Sequence, residues 1–365
     1  MQGHHRSLDG GGRVLLAMSG GVDSAVSAVT LRDAGYEVIG LTMKNYCYGD
    51  AAVPDRSCCS IESIDDARGV CDSLGIRHMV VSTEERFGAE VFDNFISEYR
   101  DGRTPNPCVR CNSVVRFDTL ADYAGKLGAD FVATGHYARV FEREDGRRYL
   151  SRAAYRAKDQ SYFLSGLSHD DLGRVLFPLG DRTKPEVRDD ARGAGLDIAE
   201  KPESQEVCFM PDGTLREFLD GRVEMRPGNI ESTDGEVLGT HAGLAAYTVG
   251  QRRGLGVSAP QPLYVVRMDR ERNALVVGYD DALLERALTC RLVWLDGGAE
   301  GARASVTAQI RSRQEAQAVA SIEREGDTAR VVFEDAQRAV APGQTIAFYD
   351  GDVVVGAGVI EAAGR

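Results

Sequence analysis

No stretch of this 365-residue chain stays apolar for the length that crosses a bilayer, so no helical membrane span is expected. An excess of positive charge is missing as well. The formal net charge is −13, and phosphate backbones are gripped mainly by Lys and Arg, so a nucleic-acid partner would have to meet a local basic stripe. Internal repeats and low-complexity tracts are absent, which excludes a solenoid or a disordered scaffold. Tryptophan occurs once, at Trp294, and is read as a core residue. The opening "MQGHHRSLDGGG" lacks the apolar stretch of a signal peptide. Residues 1–12 are therefore expected to be a loose tail on a cytoplasmic protein, and the two histidines there have no partner at ligand spacing. The eight cysteines, at 47, 58, 59, 71, 108, 111, 208 and 290, sit in a chain too long for a disulfide scaffold. Most are read as buried small apolar residues or plain thiols.

What is present is a soluble composition, 43% apolar and 27% charged, arranged in alternating units. "RVLLAM" reads as a buried strand, "SGGVD" as a turn, "SAVSAVTLRDAG" as a helix stopped by Gly35, and "YEVIGLTM" as the next strand. That is a βαβ unit, which predicts a parallel sheet. Further pieces continue the pattern: helices in "SIDDARGVCDSLG", "TEERFGAEVFDNFISEYRDG" and "VVRFDTLADYAGKLG", and strands in "RHMVVS" and "ADFVATGHYARV". Thr183 and Glu186 form a capping-box pattern. Past residue 215 the texture becomes short β-like runs with glycine turns, and Asp350–Gly351 is a hairpin signal. The expected architecture is an N-terminal α/β parallel-sheet domain over 13–215, a small β-rich central domain over 216–282 and a C-terminal β-barrel over 283–365.

"MSGGVDS", residues 18–24, joins the first strand to its helix. Backbone N–H groups and a helix N-terminus at such a turn can hold an anion. The lysine that reaches the β/γ-phosphates in the common nucleotide loop is absent, so γ-phosphoryl transfer is not the natural chemistry. Ser19, Gly20, Gly21 and Ser24 can instead wrap pyrophosphate while Asp23 helps to hold Mg²⁺, which suits cleavage between the α- and β-phosphates. The plain alternative is a tight turn that merely favours Gly and Ser. The loop resembles the SGG-x-DS signature of the PP-loop (N-type) ATP pyrophosphatases, which implies adenylation by ATP but leaves the acceptor open.

Five more motifs follow in order: "GRTPNPCVRCN" (102–112), "ATGHYAR" (133–139), "KDQSYFLSGL" (158–167), "ESQEVCFMP" (203–211) and "YTVGQRRGLG" (247–256), with "IRSRQ" and "APGQ" further on. Together they resemble the tRNA-specific 2-thiouridylase family from about residue 13 to the end. The resemblance implies that ATP adenylates the 2-carbonyl oxygen of a wobble uridine, that a cysteine-borne sulfur attacks the carbon, and that AMP leaves. It implies Cys111 as nucleophile and Cys208 as persulfide carrier. It also implies an ATP site of Ala17, Met18, Ser19, Gly20, Gly21, Val22, Asp23, Ser24, Met43 and Gly135. Contacts to the tRNA anticodon arm are implied at Asn106, Pro107, Cys108, His136, Lys158, Asp159, Gln160, Arg311, Ser312 and Gln344. A cysteine desulfurase or a sulfur-relay protein is the implied donor.

One departure stands out. Where the family's familiar motif carries an aspartate, this chain has Cys108, giving a C-x-x-C with Cys111. Cys108, Cys111 and Cys208 could then ligate an iron–sulfur cluster instead of working through a persulfide. Both sulfur-delivery routes stay open on the sequence; zinc is less natural, because only His136 offers a fourth ligand. A thiolate at Cys111 would be favoured by neighbouring cations, for which Arg103, Arg110 and Arg116 are the candidates by sequence. For the RNA, Arg100 to Arg116, Arg147 to Lys158, Arg252–Arg253 and Arg311–Arg313 are candidate basic clusters. Two other classes explain part of the chain: a PP-loop ligase for a small metabolite, which leaves the cysteines idle, and a non-catalytic iron–sulfur protein on the same fold.

Overall fold

The structure is a computed structural model that describes residues 3–46, 61–202, 207–210, 215–297, 299 and 305–364. Cys47, Cys58 and Cys59 lie outside the described residues. The chain divides into two compact units. The first comprises Met1–Val91, Cys108–Asp212 and Asp352–Val354; the second comprises Phe92–Pro107, Gly213–Gly351 and Val355–Arg365.

The first unit is built on a five-stranded, all-parallel sheet. Its order is Arg77–Ser82, Glu37–Lys44, Arg13–Ala17, Phe131–Ala133, Val175–Leu176. Val14, Leu15 and Leu16 are wholly buried, as a central strand covered on both faces must be. The helix Val22–Asp33 buries Ala25, Val26, Ala28 and Leu31 in the same core as Val14 and Leu16. Because the chain leaves the Arg13–Ala17 strand toward one side first and returns later on the other, the strand order reverses there. In open α/β sheets that reversal opens a crevice at the carboxyl ends of the strands. "SGGVDS" follows the first of the two strands flanking it, and "TGH" follows the second.

Two local features differ from the sequence reading. Residues 3–5, expected to be loose, form a short strand antiparallel to Ala138–Arg143. An unpaired strand edge offers a row of backbone donors and acceptors to any extended segment, whatever its propensity. Gly3 permits the approach, since a Cβ there would lie 2.2 Å from the Glu142 carbonyl oxygen. The helix expected over "VVRFDTLADYAGKLG" begins earlier, at Pro107, and runs to Leu127 with a π-helical turn over Asn112–Arg116. The Thr183 capping box forms as expected and opens the helix Lys184–Gly193.

The second unit holds a four-stranded sheet in the order Val237–His241, Gly228–Ser232, Ala274–Gly278, Tyr264–Asp269. Ile230, Val265, Leu275 and Val277 form its dry side. It also holds a closed six-stranded barrel. Leu284–Leu295 pairs with Thr328–Arg338, which pairs with Gln317–Glu325, then Val306–Gln309, Thr345–Asp350 and Val353–Gly364, and the last strand pairs back onto the first. Gly351 takes φ +60° in the predicted Asp350–Gly351 turn.

Candidate active site

The cleft at the sheet reversal is lined by Ala17, Met18, Ser19, Asp23, Ser24, Met43, Asn45, Arg116, Thr134, Gly135, His136 and Gln160. Seven of the residues assigned to ATP by resemblance (Ala17, Met18, Ser19, Asp23, Ser24, Met43 and Gly135) are therefore found on one surface. The turn holds its shape from within. Ser24 Oγ donates to the Gly21 carbonyl at 2.9 Å and accepts from the Ser19 amide at 3.2 Å. Gly20 sits at φ +70°, and a Cβ there would meet the Ser63 carbonyl oxygen at 2.1 Å. Gly135 is forced by proximity instead: its Cβ would lie 2.9 Å from the Asp23 carbonyl carbon. Bare backbone on both sides of the cleft is what a close-held phosphate chain requires.

A lysine is present after all, from outside the loop. Lys184 Nζ contacts both Asp23 oxygens, at 2.8 and 2.9 Å, and Tyr137 donates its hydroxyl to Asp23 Oδ1 at 2.8 Å. Lys184 is the first helical residue after the Thr183 cap, and the cap orients it. Sequence spacing carried no sign of this pairing.

The opposite wall is a hydrogen-bonded chain. Arg116 donates from one nitrogen to Asn112 Oδ1 at 2.8 Å and to His136 Nε2 at 3.2 Å. His136 Nδ1 lies 2.8 Å from Thr134 Oγ1, and Asn112 donates to the Phe163 carbonyl at 2.9 Å. A guanidinium only donates, so Nε2 must accept and Nδ1 must carry the proton. Burial, reinforced by the Arg116 charge, pushes the His136 pKa down to about 3, so the ring is neutral.

Cys108, Cys111 and Cys208 sit in the same unit. Cys111 is 8% exposed, Cys208 is half-buried and Cys108 is exposed. One segment ties two of them down. Phe209, next to Cys208, packs edge-to-face on Phe87 at 5.7 Å, and Arg110, next to Cys111, is ion-paired to Glu90 at 2.8 Å. Phe87 and Glu90 are three residues apart. The Arg110 charge is thus met by a carboxylate, and Arg103 is held by Glu98 and Glu361 at 2.7 and 2.8 Å in the second unit. Both arginines thus have carboxylate partners that adjacency in sequence did not reveal. Among the described residues, no three Cys, His, Asp or Glu side chains are grouped as metal ligands, so Cys108, Cys111 and Cys208 are not gathered as a cluster site.

The residues assigned to tRNA by resemblance are scattered in role. Gln160 accepts from the Tyr137 amide at 2.9 Å and lines the cleft. The Asp159 carboxylate is 7% exposed, paired with Arg152 and accepting from the Ala153 amide at 2.9 Å. Lys158 closes the short turn preceding it. Asn106 and Pro107 belong with the second unit, where Gln344 donates to the Thr104 carbonyl at 2.9 Å. Arg311 donates to the Ala339 carbonyl, and Ser312 and Arg313 are exposed. Of the Arg147–Lys158 cluster, Arg148 is paired with Glu142, Arg152 with Asp159 and Arg156 with Asp352.

A parallel sheet whose reversal point carries a glycine–serine turn facing a second bare-backbone loop defines an α/β nucleotide-binding enzyme. Comparison with known proteins narrows the class. Residues 12–212 match the tRNA methyl transferase HUP domain, 216–279 the tRNA methyl transferase PRC-barrel domain, and 286–360 the aminomethyltransferase beta-barrel domain. The tRNA-specific 2-thiouridylase MnmA of Halothermothrix orenii is 45% identical over 353 residues, covering 96% of this chain and 99% of that protein. MnmA of Geobacter metallireducens is 45% identical over 358 residues, covering 96% and 97%. Among solved structures, a 4-thiouridine synthetase in complex with RNA and ATP overlaps at a TM-score of 0.35 and 20% identity, over 58% of this chain and 50% of that one, too slight a likeness to argue from. The chain belongs to the tRNA-specific 2-thiouridylase family.

Proposed function

We propose that this protein uses ATP to replace the 2-oxygen of a tRNA wobble uridine with sulfur. The observation that carries the reading is the wall shared by cleft and nucleophile: Arg116 lines the nucleotide cleft and lies on the same helical segment as Cys111. Residues 13–215 would carry this chemistry, with 216–282 and 283–365 as the central domain and barrel that meet the anticodon arm.

The uridine O2 attacks the α-phosphorus of ATP. The bond to the bridging oxygen breaks with its electron pair on pyrophosphate, and N3 gives up its proton to solvent. Ser19, Gly20, Gly21 and Ser24 hold the departing diphosphate, Met43 meets the adenine, and Gly135 lets the second loop close on the nucleotide. The terminal sulfur of a Cys208 persulfide then attacks C2. The Cys111 thiolate attacks Cys208 Sγ, the sulfur–sulfur bond breaks toward the transferred sulfur, AMP leaves with the old oxygen, and N3 takes a proton back from solvent. Cys111 and Cys208 are left as a disulfide, which a thiol reductant must reopen. The uridine must be splayed out of its stack to be reached.

Both Asp23 oxygens are already engaged by Lys184, so Mg²⁺ fits as the counter-ion of the nucleotide phosphates more readily than as a protein-caged ion. Among the described residues Cys108, Cys111 and Cys208 are not grouped as metal ligands, and the persulfide route needs no cluster. A cysteine desulfurase or sulfur-relay protein would load Cys208, which is half-buried and so reachable on modest opening. No described helix is long and apolar enough to cross a membrane, and a cytoplasmic site of action suits a tRNA substrate.

The test is pyrophosphate release from ATP with and without unmodified tRNA, followed by mass analysis of the tRNA after supply of persulfide sulfur. Release that depends on tRNA and ends in one oxygen-to-sulfur exchange supports the reading. Release driven by a small metabolite without tRNA would establish the ligase alternative instead.

A further inference from the structure

The chemistry above leaves the cation of the cleft unassigned. Among the described residues that line it, Arg116 is the one permanent positive charge, since His136 is neutral; Lys184 is outside that lining and pairs with Asp23. An ATP α-phosphorus accumulates negative charge on its oxygens as the bridging bond breaks, and a guanidinium is the side chain best shaped to meet two of them at once.

The backbone explains why Arg116 can do this. In a regular α-helix, residues 111 and 116 would point about 140° apart. Over Asn112–Arg116 the helix is π-helical, and the Phe117 amide donates to the Asn112 carbonyl five residues back. Five-residue bonding brings side chains five apart toward one face, so Arg116 is turned back toward the side that carries Cys111. Two acceptors then fix the guanidinium, Asn112 Oδ1 at 2.8 Å and the unprotonated Nε2 of His136 at 3.2 Å. The Thr134 hydroxyl in turn fixes the His136 tautomer from the other side, at 2.8 Å.

Resting on the thiolation reading, we propose that Arg116 is a catalytic residue of the adenylation step, binding the α-phosphoryl oxygens, and that His136 is a positioning residue that holds it as a neutral hydrogen-bond acceptor. His136 then acts on the reaction through Arg116 and not by proton transfer.

The experiment measures single-turnover, tRNA-dependent pyrophosphate release, alongside tRNA affinity and thermal unfolding. Arg116→Ala should slow release by about 100- to 1000-fold, the usual effect of removing one preorganised donor, with tRNA affinity and unfolding temperature little changed. Added guanidinium ion should restore part of the rate, which a merely structural defect would not permit. Arg116→Lys, which keeps the charge and the fold but not the fork, should fall between. His136→Leu should slow the step strongly, His136→Gln, whose amide oxygen can accept in place of Nε2, should recover much of that rate, and His136→Leu should add little in an Arg116→Ala background. Wild-type rates from Arg116→Ala, or independent multiplication of the two effects, would overturn the proposal. If the wild-type protein itself releases no pyrophosphate with tRNA, the thiolation reading fails; if it does and the Arg116 variants match it, only this inference fails.

Discussion

Lys184 Nζ stands 2.8 and 2.9 Å from the two carboxylate oxygens of Asp23, 161 residues away along the chain. The pair places a charge-paired carboxylate at the first turn of the helix proposed to receive the nucleotide phosphates. Without Lys184, Asp23 would set a bare negative charge beside the turn proposed to hold pyrophosphate, and like charges at such range disfavour binding by several-fold or more.

Lys184→Met should therefore weaken ATP binding by about tenfold to a hundredfold, each tenfold being about 1.4 kcal/mol. The double variant Asp23→Asn with Lys184→Met should recover a good part of that affinity, because the uncompensated charge is gone. Nucleotide titration of the four forms reads the cycle directly. A double variant no better than Lys184→Met would mean that the lysine binds the nucleotide itself and is not there to silence Asp23.

The two glycines of the turn should separate cleanly. Gly20→Ala demands φ +70° from a residue with a Cβ and drives that atom to 2.1 Å from the Ser63 carbonyl oxygen, a cost of about 1–3 kcal/mol from backbone strain before any steric term. At Gly21, with φ −104° and its nearest contact the Ser19 hydroxyl at 3.5 Å, alanine fits without strain. Thermal unfolding should show Gly20→Ala several degrees below Gly21→Ala. Equal unfolding temperatures would refute this account of the turn.

How much of this was legible beforehand depends on what a residue's neighbours in sequence can report. The Arg13–Ala17 strand and the Val22–Asp33 helix announced themselves by periodicity, and the turn between them by its glycines and hydroxyls. The closed barrel was legible from short alternating runs such as Thr345–Asp350 and Val353–Gly364. Lys184 was not legible, because its partner is brought to it only by folding. Arg110 was legible as a cation beside Cys111, but adjacency says nothing about Glu90, which captures it. The π-helical turn over Asn112–Arg116 leaves no compositional mark, so Arg116 read as one basic residue among several. The strand Gly3–His5 was missed because its formation depends on the open edge it joins and not on its own residues.

Cysteine chemistry distinguishes the two sulfur routes. If Cys208 carries the sulfur and Cys111 closes the cycle, Cys111→Ser and Cys208→Ser should each abolish thiolation, and Cys111→Ser should still release pyrophosphate. Cys108, the exposed one of the three, should be the first to be alkylated, and Cys108→Ser should retain most of the thiolation activity. Disappearance of thiolation and of bound iron together in anaerobically prepared Cys108→Ser would favour the cluster route instead.

His136 should leave a mark on stability as well as on rate. Its folded pKa is pushed down to about 3 by burial and by Arg116, against 6.5 for the ordinary side chain. Between those values the unfolded chain binds the proton and the folded protein does not. Stability therefore falls as pH drops below about 6.5, by at most about 1.4 kcal/mol per unit for this group, and less where cleft water reaches the ring. Urea unfolding from pH 7 to pH 5 should show a shallower decline in His136→Gln than in the wild type. Parallel curves would mean that the ring is protonated in the folded protein and cannot accept from Arg116.

An acidic protein and a polyanionic substrate are reconciled only if tRNA is met locally. In the barrel, Arg313 and Ser312 are exposed, while Arg311 spends a donor on the Ala339 carbonyl. Arg313→Glu should weaken tRNA binding and flatten its dependence on salt by about one unit in log–log slope for each phosphate no longer neutralised, leaving ATP affinity as it was. Arg311→Glu should do the same and also lower the unfolding temperature, since the carbonyl it anchors is left without that donor. If both substitutions cost ATP and tRNA affinity equally, the barrel arginines support the fold and do not face the nucleic acid.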